Sequence, residues 1–180
     1  MKKNELTRFI IGNGLLIAFT VVFTYISNNI VIAGVSINLS LITIALAAIL
    51  YGPWSGLLVG FVNGGMVMLS AGPFFAMNPI ATVFVCLLKS GIAGLVAGLF
   101  YQAFKKKNRH IGVVLATISV PIINTSLFIV GSLLFFNGAF GELISIFIGV
   151  NFIVEFIINA LLSPAIYYIV TIYKKKKVIE

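Results

Sequence analysis

Between Phe9 and Phe104 the chain carries a single charged side chain, Lys89. From Ile111 to Tyr173 it carries two, Glu142 and Glu155. Segments so long and so poor in charge cannot present a hydrated surface, but they suit a bilayer, where the exterior of a protein is itself apolar. Composition agrees: of 180 residues, 61% are hydrophobic and 9% charged, and the mean hydropathy is +1.17. A helix needs about 20 apolar residues to cross the hydrocarbon core, so this length permits six crossings with short connections and no separate soluble domain. The expected fold class is an all-α membrane protein, a six-helix transmembrane bundle forming one integral membrane domain over residues 1–180.

Turn signals divide the chain. The first span covers Thr7 to Ser27 and stops at Asn28-Asn29. The basic residues ahead of it resemble a secretory signal, but the apolar stretch is too long and has no small-residue cleavage site, so it is expected to remain as a span. The following IVIAGVSIN suits a loop or short strand at the membrane surface. Span two, Leu39 to Leu50, ends at the Gly-Pro pair of YGPWSG, which breaks a helix. Span three, Leu57 to Leu69, holds glycines 60, 64 and 65, and both spans are short for a full crossing. Ser70 to Met77 reads as a turn displaying two exposed phenylalanines, Phe74 and Phe75. Asn78-Pro79 then opens span four, Asn capping and Pro in the first turn, and the span reaches Phe104. KKKNRH is the next turn, span five runs from Ile111 to Phe136 around Pro121, NGAFGE is a loop, and span six runs from Leu143 to Tyr173, ended by KKKK.

Cations fix the expected orientation, because cytoplasmic segments retain Lys and Arg. Six spans put Lys2, Lys3, Arg8, Lys105, Lys106, Lys107, Arg109 and Lys174 to Lys177 on one side, and no Lys or Arg in the loops of the other. Both termini are therefore expected in the cytoplasm. The net charge of +8 is explained by topology, not by affinity for nucleic acid.

Lys89 and Glu155 are the ionisable groups placed inside the hydrocarbon region. Each alone would cost on the order of 2.5 to 3.5 kcal/mol on insertion scales, so each needs a partner. Counting helical rise from the outer ends of spans four and six gives them a common depth. Two roles fit: mutual neutralisation, or Lys89 meeting an anionic group on a ligand. Asn151, Glu155 and Asn159 recur every four residues as one polar stripe facing the bundle interior. Asn63, Asn78 and Asn124 lie at compatible depths, where converging amides suit a polar organic molecule or interhelical hydrogen bonds; for the deeper Asn159 the second role is favoured. Phe74 and Phe75 suit closure over a ligand or insertion into lipid. Gly14 and Ala18 in span one, and Gly94 and Gly98 in span four, repeat at the spacing that lets helices approach closely. Span four is expected to use its pair for internal packing; the groove on span one also suits an outside helix.

Enzyme signatures are missing. No phosphate-binding G-x-x-x-x-G-K-[ST] loop is present. The single His110 has no nucleophile or carboxylate beside it, no Asp occurs, and the lone Cys86 sits in an apolar run as a packed small residue. No metal or cofactor site can be assembled from these residues.

The stretch NLSLITIALAAILYGPWSGLLVGFVNGGMVML, with its Gly-Pro turn and glycine-rich third span, resembles the substrate-binding S components of the energy-coupling factor (ECF) vitamin importers of bacteria. The likeness covers nearly the whole chain. It implies a multi-pass protein of the bacterial plasma membrane that captures a vitamin-like nutrient outside. Its implied partners are a transmembrane coupling subunit and two ATPases, with which it delivers the nutrient inward. The family's Ala-x-x-x-Ala docking pattern falls on Gly14 and Ala18, with Gly replacing the first Ala; many members carry Asp where Asn63 stands. LLKSGIAGLVAGLFY and PIINTSLFIVGSLLFF look most like the pantothenate group. The substrate-binding residues expected are Asn63, Asn78, Lys89, Asn124, Asn151, Glu155, Phe74 and Phe75. The alternatives are an S component for riboflavin, hydroxymethylpyrimidine or a folate-like vitamin, and a stand-alone ion-coupled transporter, which the lack of an internal repeat disfavours.

Overall fold

The computed structural model describes residues 3–29, 31–32, 35–36, 38–136 and 142–179, with side chains for 5–29, 38–72, 74–136 and 149–173. The described chain forms seven helices: α1 (Lys3–Asn29), α2 (Leu41–Tyr51), α3 (Pro53–Leu69), α4 (Gly72–Met77), α5 (Pro79–Phe104), α6 (Arg109–Phe135) and α7 (Glu142–Ile179). A two-residue antiparallel pair, β1 (Val31–Ile32) and β2 (Val35–Ser36), follows α1. Four helical stretches are long and apolar enough to cross a membrane: Glu5–Asn29, Pro79–Phe104, Arg109–Phe135 and Gly149–Tyr173. α2 and α3 are shorter apolar helices. The chain is thus an all-α, multi-pass membrane protein in class.

α2 is the centre of the bundle. Its sequence LITIALAAILY is apolar on every side, which suits a helix enclosed by other helices or by lipid. Leu41, Ile44, Ala45, Ala47 and Ala48 have no exposed surface, and α1, α3, α5, α6 and α7 all pack around it. Its one polar interior residue, Thr43, is satisfied by donating to the Ser40 carbonyl at 2.6 Å and by a 2.6 Å hydrogen bond with the Thr20 hydroxyl.

α1 is built inside out relative to a soluble helix. Ile10, Ile11, Leu15, Phe19 and Val22 are exposed, while Asn13, Thr20, Thr24 and Ser27 are buried. Lipid is as apolar as a protein core, so polar groups gain by turning inward to find hydrogen-bond partners.

α3 and α5 pack backbone to backbone. Gly56, Gly60 and Gly64, one turn apart, line the face of α3 that meets α5. A Cβ on Gly60 would stand 2.2 Å from the Ser90 carbonyl oxygen, one on Gly64 2.4 Å from that of Cys86, and one on Gly94 2.1 Å from that of Gly56. A Cβ on Gly98 would stand 2.4 Å from the Pro53 Cα. The internal packing expected of Gly94 and Gly98 is what these contacts describe. Gly52 turns the chain between α2 and α3 at φ +105°, a conformation that L side chains rarely adopt.

Several boundaries differ from the sequence expectation. Ser70 to Met77 is not a plain turn: residues 72–77 coil into α4, and Phe74 and Phe75 are half-buried instead of exposed. α3 begins at Pro53, because Pro is well suited to the first helical position, so Trp54, Ser55 and Gly56 belong to the helix. Asn108 caps α6 by accepting from the backbone N–H of His110 at 2.9 Å and of Ile111 at 3.3 Å, which draws Arg109 and His110 out of the expected turn. α7 continues through the four lysines to Ile179, since Lys is compatible with helix and nothing in KKKK breaks one. Residues 137–141, most of the expected NGAFGE loop, lie outside the described residues.

Ring contacts gather one set of helix ends on a common face: Phe9 of α1 lies 5.9 Å from Tyr51 of α2, Tyr51 lies 5.7 Å from Tyr173 of α7, and His110 of α6 lies 5.0 Å from Tyr167. The opposite ends meet through Leu39 N–H donating to the Ser27 hydroxyl at 2.9 Å, Asn28 donating to Ser70, and Phe74 against Phe136 at 5.4 Å.

Candidate functional site

A polar cavity of about 80 Å³ opens among the helix ends on the side of Ser27 and Leu39. α1 supplies Thr24, Ser27 and Asn28, the turn before α2 supplies Asn38, and α3 supplies Val67. Lys89 enters from α5, Asn124 from α6, and Asn151 and Glu155 from α7. A polar concavity inside an otherwise apolar bundle is expensive unless its groups are paired or await a ligand.

Glu155 is 2% exposed. Its Oε1 accepts the Asn38 backbone N–H at 3.2 Å and the Asn151 amide at 3.1 Å, whereas Oε2 has no hydrogen-bond partner. Asn151 Oδ1 is likewise buried and unpartnered. Lys89 is half-buried, with its ammonium over the ring of Phe128, 4.6 Å from the centroid. At a half-buried position such a contact is worth about 1 kcal/mol, and among the described residues none accepts a hydrogen bond from the ammonium. Lys89 and Glu155 therefore line one cavity, as the depth argument requires, without closing a direct ion pair among the described residues.

Beneath the cavity runs a hydrogen-bonded relay of neutral side chains. Asn63, fully buried on α3, accepts at Oδ1 from the hydroxyls of Thr24, at 3.1 Å, and Ser40. Its amide donates to Ser90 Oγ at 3.1 Å, and Ser90 donates in turn to Asn124 Oδ1 at 3.2 Å. Four helices, α1, α3, α5 and α6, and the residue capping α2 are tied together at one depth. Asn63 is spent on this relay and does not line the cavity. Asn159, expected to bond between helices, instead donates within α7 to the Glu155 carbonyl one turn earlier at 2.8 Å, and its buried Oδ1 has no hydrogen-bond partner among the described residues.

Of the eight substrate-binding residues expected from sequence, the structure brings Lys89, Asn124, Asn151 and Glu155 to one cavity and places the others elsewhere. Asn78 caps α5 by accepting from Ala81 N–H at 3.1 Å. Phe74 stands in an aromatic cluster, 5.7 Å from Phe128 and 5.4 Å from Phe136, over an apolar pocket that also touches the buried Cys86. Phe75, half-buried on α4, is not among the residues lining either pocket. Gly14 and Ala18 are exposed on α1, and a Cβ on Gly14 would meet nothing within 4 Å, so the groove lies open.

Sequence reasoning missed Thr24, Ser27, Ser90, Asn38 and Phe128. The first two were detectable: with Thr20 they recur at intervals of four and three along α1, a polar stripe as regular as that of Asn151, Glu155 and Asn159. Ser90 and Phe128 carry no such signal, being ordinary residues of an apolar run.

The described helices form an apolar bundle around a polar, part-charged cavity, the architecture of a multi-pass membrane protein. The chain matches the family of ECF transporter substrate-specific components over residues 8–167, and it belongs to that family. Its members are substrate-binding components of transporters, not enzymes. Comparisons with curated proteins and with solved structures gave no match.

Proposed function

We propose that this chain is the capture subunit of an ECF-type importer for pantothenate or a closely related vitamin, binding it in the cavity of Lys89, Asn124, Asn151 and Glu155 on the outer side of the membrane. The observation that carries the reading is the cavity itself: a cation, an acid and two amides, each from a transmembrane helix, converge with hydrogen-bonding capacity unspent. Lys89 suits the vitamin's carboxylate. A volume of about 80 Å³ accommodates only a few water-sized groups, so binding a vitamin requires the outer helix ends to part. Asn63, Asn78 and Phe74 act around the site in this reading: Asn63 holds the relay that reaches Asn124, Asn78 starts α5, and Phe74 packs against Phe128, over whose ring the Lys89 ammonium lies.

Topology supports the same reading. α1, α2, α3, α5, α6 and α7 are taken as six crossings, with the cation-rich ends, Arg8, Lys105 to Lys107 and Arg109 among them, in the cytoplasm. The cavity then faces outward. The open groove at Gly14 and Ala18 is the docking surface for the coupling subunit, which works with two ATPases.

Reconstitution separates capture from transport. Proteoliposomes holding this chain alone are expected to take up no labelled pantothenate, whereas those that also hold a coupling subunit and ATPases take it up with ATP. The double substitution Gly14→Leu and Ala18→Leu, on an exposed face, is expected to abolish that uptake while leaving binding in detergent within about twofold. Gradient-driven uptake by the chain alone would favour a stand-alone transporter instead.

A further inference from the structure

Lys89 and Glu155 differ in what they leave unsatisfied, and the difference defines a ligand. On α7, one turn apart, Glu155 Oε2 and Asn151 Oδ1 are buried acceptors with no partner. Glu155 Oε1 is already committed to Asn38 and Asn151, so the free oxygen is held in place, not swinging. On α5, Lys89 offers N–H donors and positive charge to the cavity, its ammonium lying over the face of Phe128. The cavity thus has an acceptor wall and a donor wall, which no direct ion pair joins among the described residues.

From this we infer that the site reads both ends of its ligand: a small carboxylate whose acid faces Lys89 and whose other end carries hydrogen-bond donors, hydroxyl, amide N–H or ammonium, facing Glu155 Oε2 and Asn151 Oδ1. The inference rests on the capture reading and adds to it a recognition role for Glu155 and Asn151 at the end of the ligand away from its carboxylate. A plain carboxylate satisfies Lys89 and leaves two buried acceptors bare, and a cation alone does the reverse. An unpaired buried acceptor carries the full desolvation penalty, so discrimination against ligands without donors is strong. Glu155 is on this argument a specificity-determining residue and not merely a counter-ion for Lys89.

The experiment is a set of calorimetric titrations on the full chain in detergent. The probes are pantothenate; its trimethylated form, with both hydroxyls and the amide nitrogen methylated, which keeps the acid and loses every donor; γ-aminobutyrate; and butyrate. Wild type is expected to prefer pantothenate over the trimethylated form, and γ-aminobutyrate over butyrate. Glu155→Gln turns the free acceptor into an amide. It is expected to weaken the donor-bearing member of the preferred pair by about tenfold to hundredfold, and to leave the donor-free member, itself an anion, bound as tightly or more tightly, since a negative charge is removed from the cavity. That interaction between ligand change and side-chain change isolates the contact from any loss of fit caused by added methyl groups. Should Glu155→Gln fail to fold, Asn151→Ala carries the same comparison from the neighbouring acceptor.

A preference that survives in both variants, or equal binding of both members of each pair to wild type, overturns the inference while leaving capture intact. Preference for γ-aminobutyrate without binding of pantothenate supports the donor-bearing class and removes pantothenate as the substrate. Absence of binding by all four probes overturns the inference and counts against capture as well.

Discussion

Gly60→Ala is expected to destabilise the protein by about 3 kcal/mol, the upper part of the range for overpacking. Gly65→Ala, on the same helix, is expected to be neutral or slightly stabilising through helix propensity. The contrast follows from what each methyl group would meet. At Gly60 it would stand 2.2 Å from the Ser90 carbonyl oxygen and 2.9 Å from the Gly91 Cα, both backbone atoms of α5; at Gly65 nothing lies within 4 Å. A flexible side chain yields to an intruding methyl, but a helix backbone moves only as a unit, so α3 and α5 must separate along their length. Thermal unfolding in one detergent measures the pair. Equal melting temperatures for the two variants would mean that α3 and α5 do not touch through their glycines.

Asn63→Leu is expected to cost roughly 2 kcal/mol, taking about 0.6 kcal/mol for each of three interhelical contacts in a membrane protein. The substitution removes the acceptor for Thr24 and Ser40 and the donor to Ser90 in a fully buried position. Its effect reaches the cavity as well, because Ser90 is the group that fixes Asn124 by its oxygen. Pantothenate binding is therefore expected to weaken several-fold even though Asn63 does not line the cavity. Melting temperature and a titration on the same preparation check both halves. A variant that melts and binds as wild type would show that the relay carries no load.

The helical class was legible because bilayer solvation acts on whole segments: twenty apolar residues in a row need no tertiary information to be assigned. Lys89, Glu155 and Asn151 were legible for the complementary reason. Isolated ionisable and amide groups in such segments must turn inward, and spacing by four puts Asn151 and Glu155 on one face of α7. Asn63 and Asn78 were recognised as buried or capping amides, yet their hydrogen-bonding capacity is committed elsewhere, which depends on partners contributed by other helices. No one-dimensional pattern reveals that Ser90 stands between Asn63 and Asn124. Ser70 to Met77 reads as a turn in sequence because Gly and Pro signal the end of one helix and the start of another equally well; here Pro73 sits at the second position of α4. Gly56 was hidden by the adjacent Gly-Pro pair, which drew it into the turn although it begins the glycine ridge of α3.

Capture of a nutrient in the polar cavity is tested most directly by titrating the purified chain in detergent with pantothenate and the other B vitamins, alongside Lys89→Met. At least one vitamin is expected to bind at micromolar concentration or tighter, about −8 kcal/mol, with a loss of roughly a hundredfold in the variant, since the half-buried Lys89 is the cation lining the cavity. Binding no tighter than about millimolar by every vitamin, or binding unchanged without the lysine, would contradict capture there.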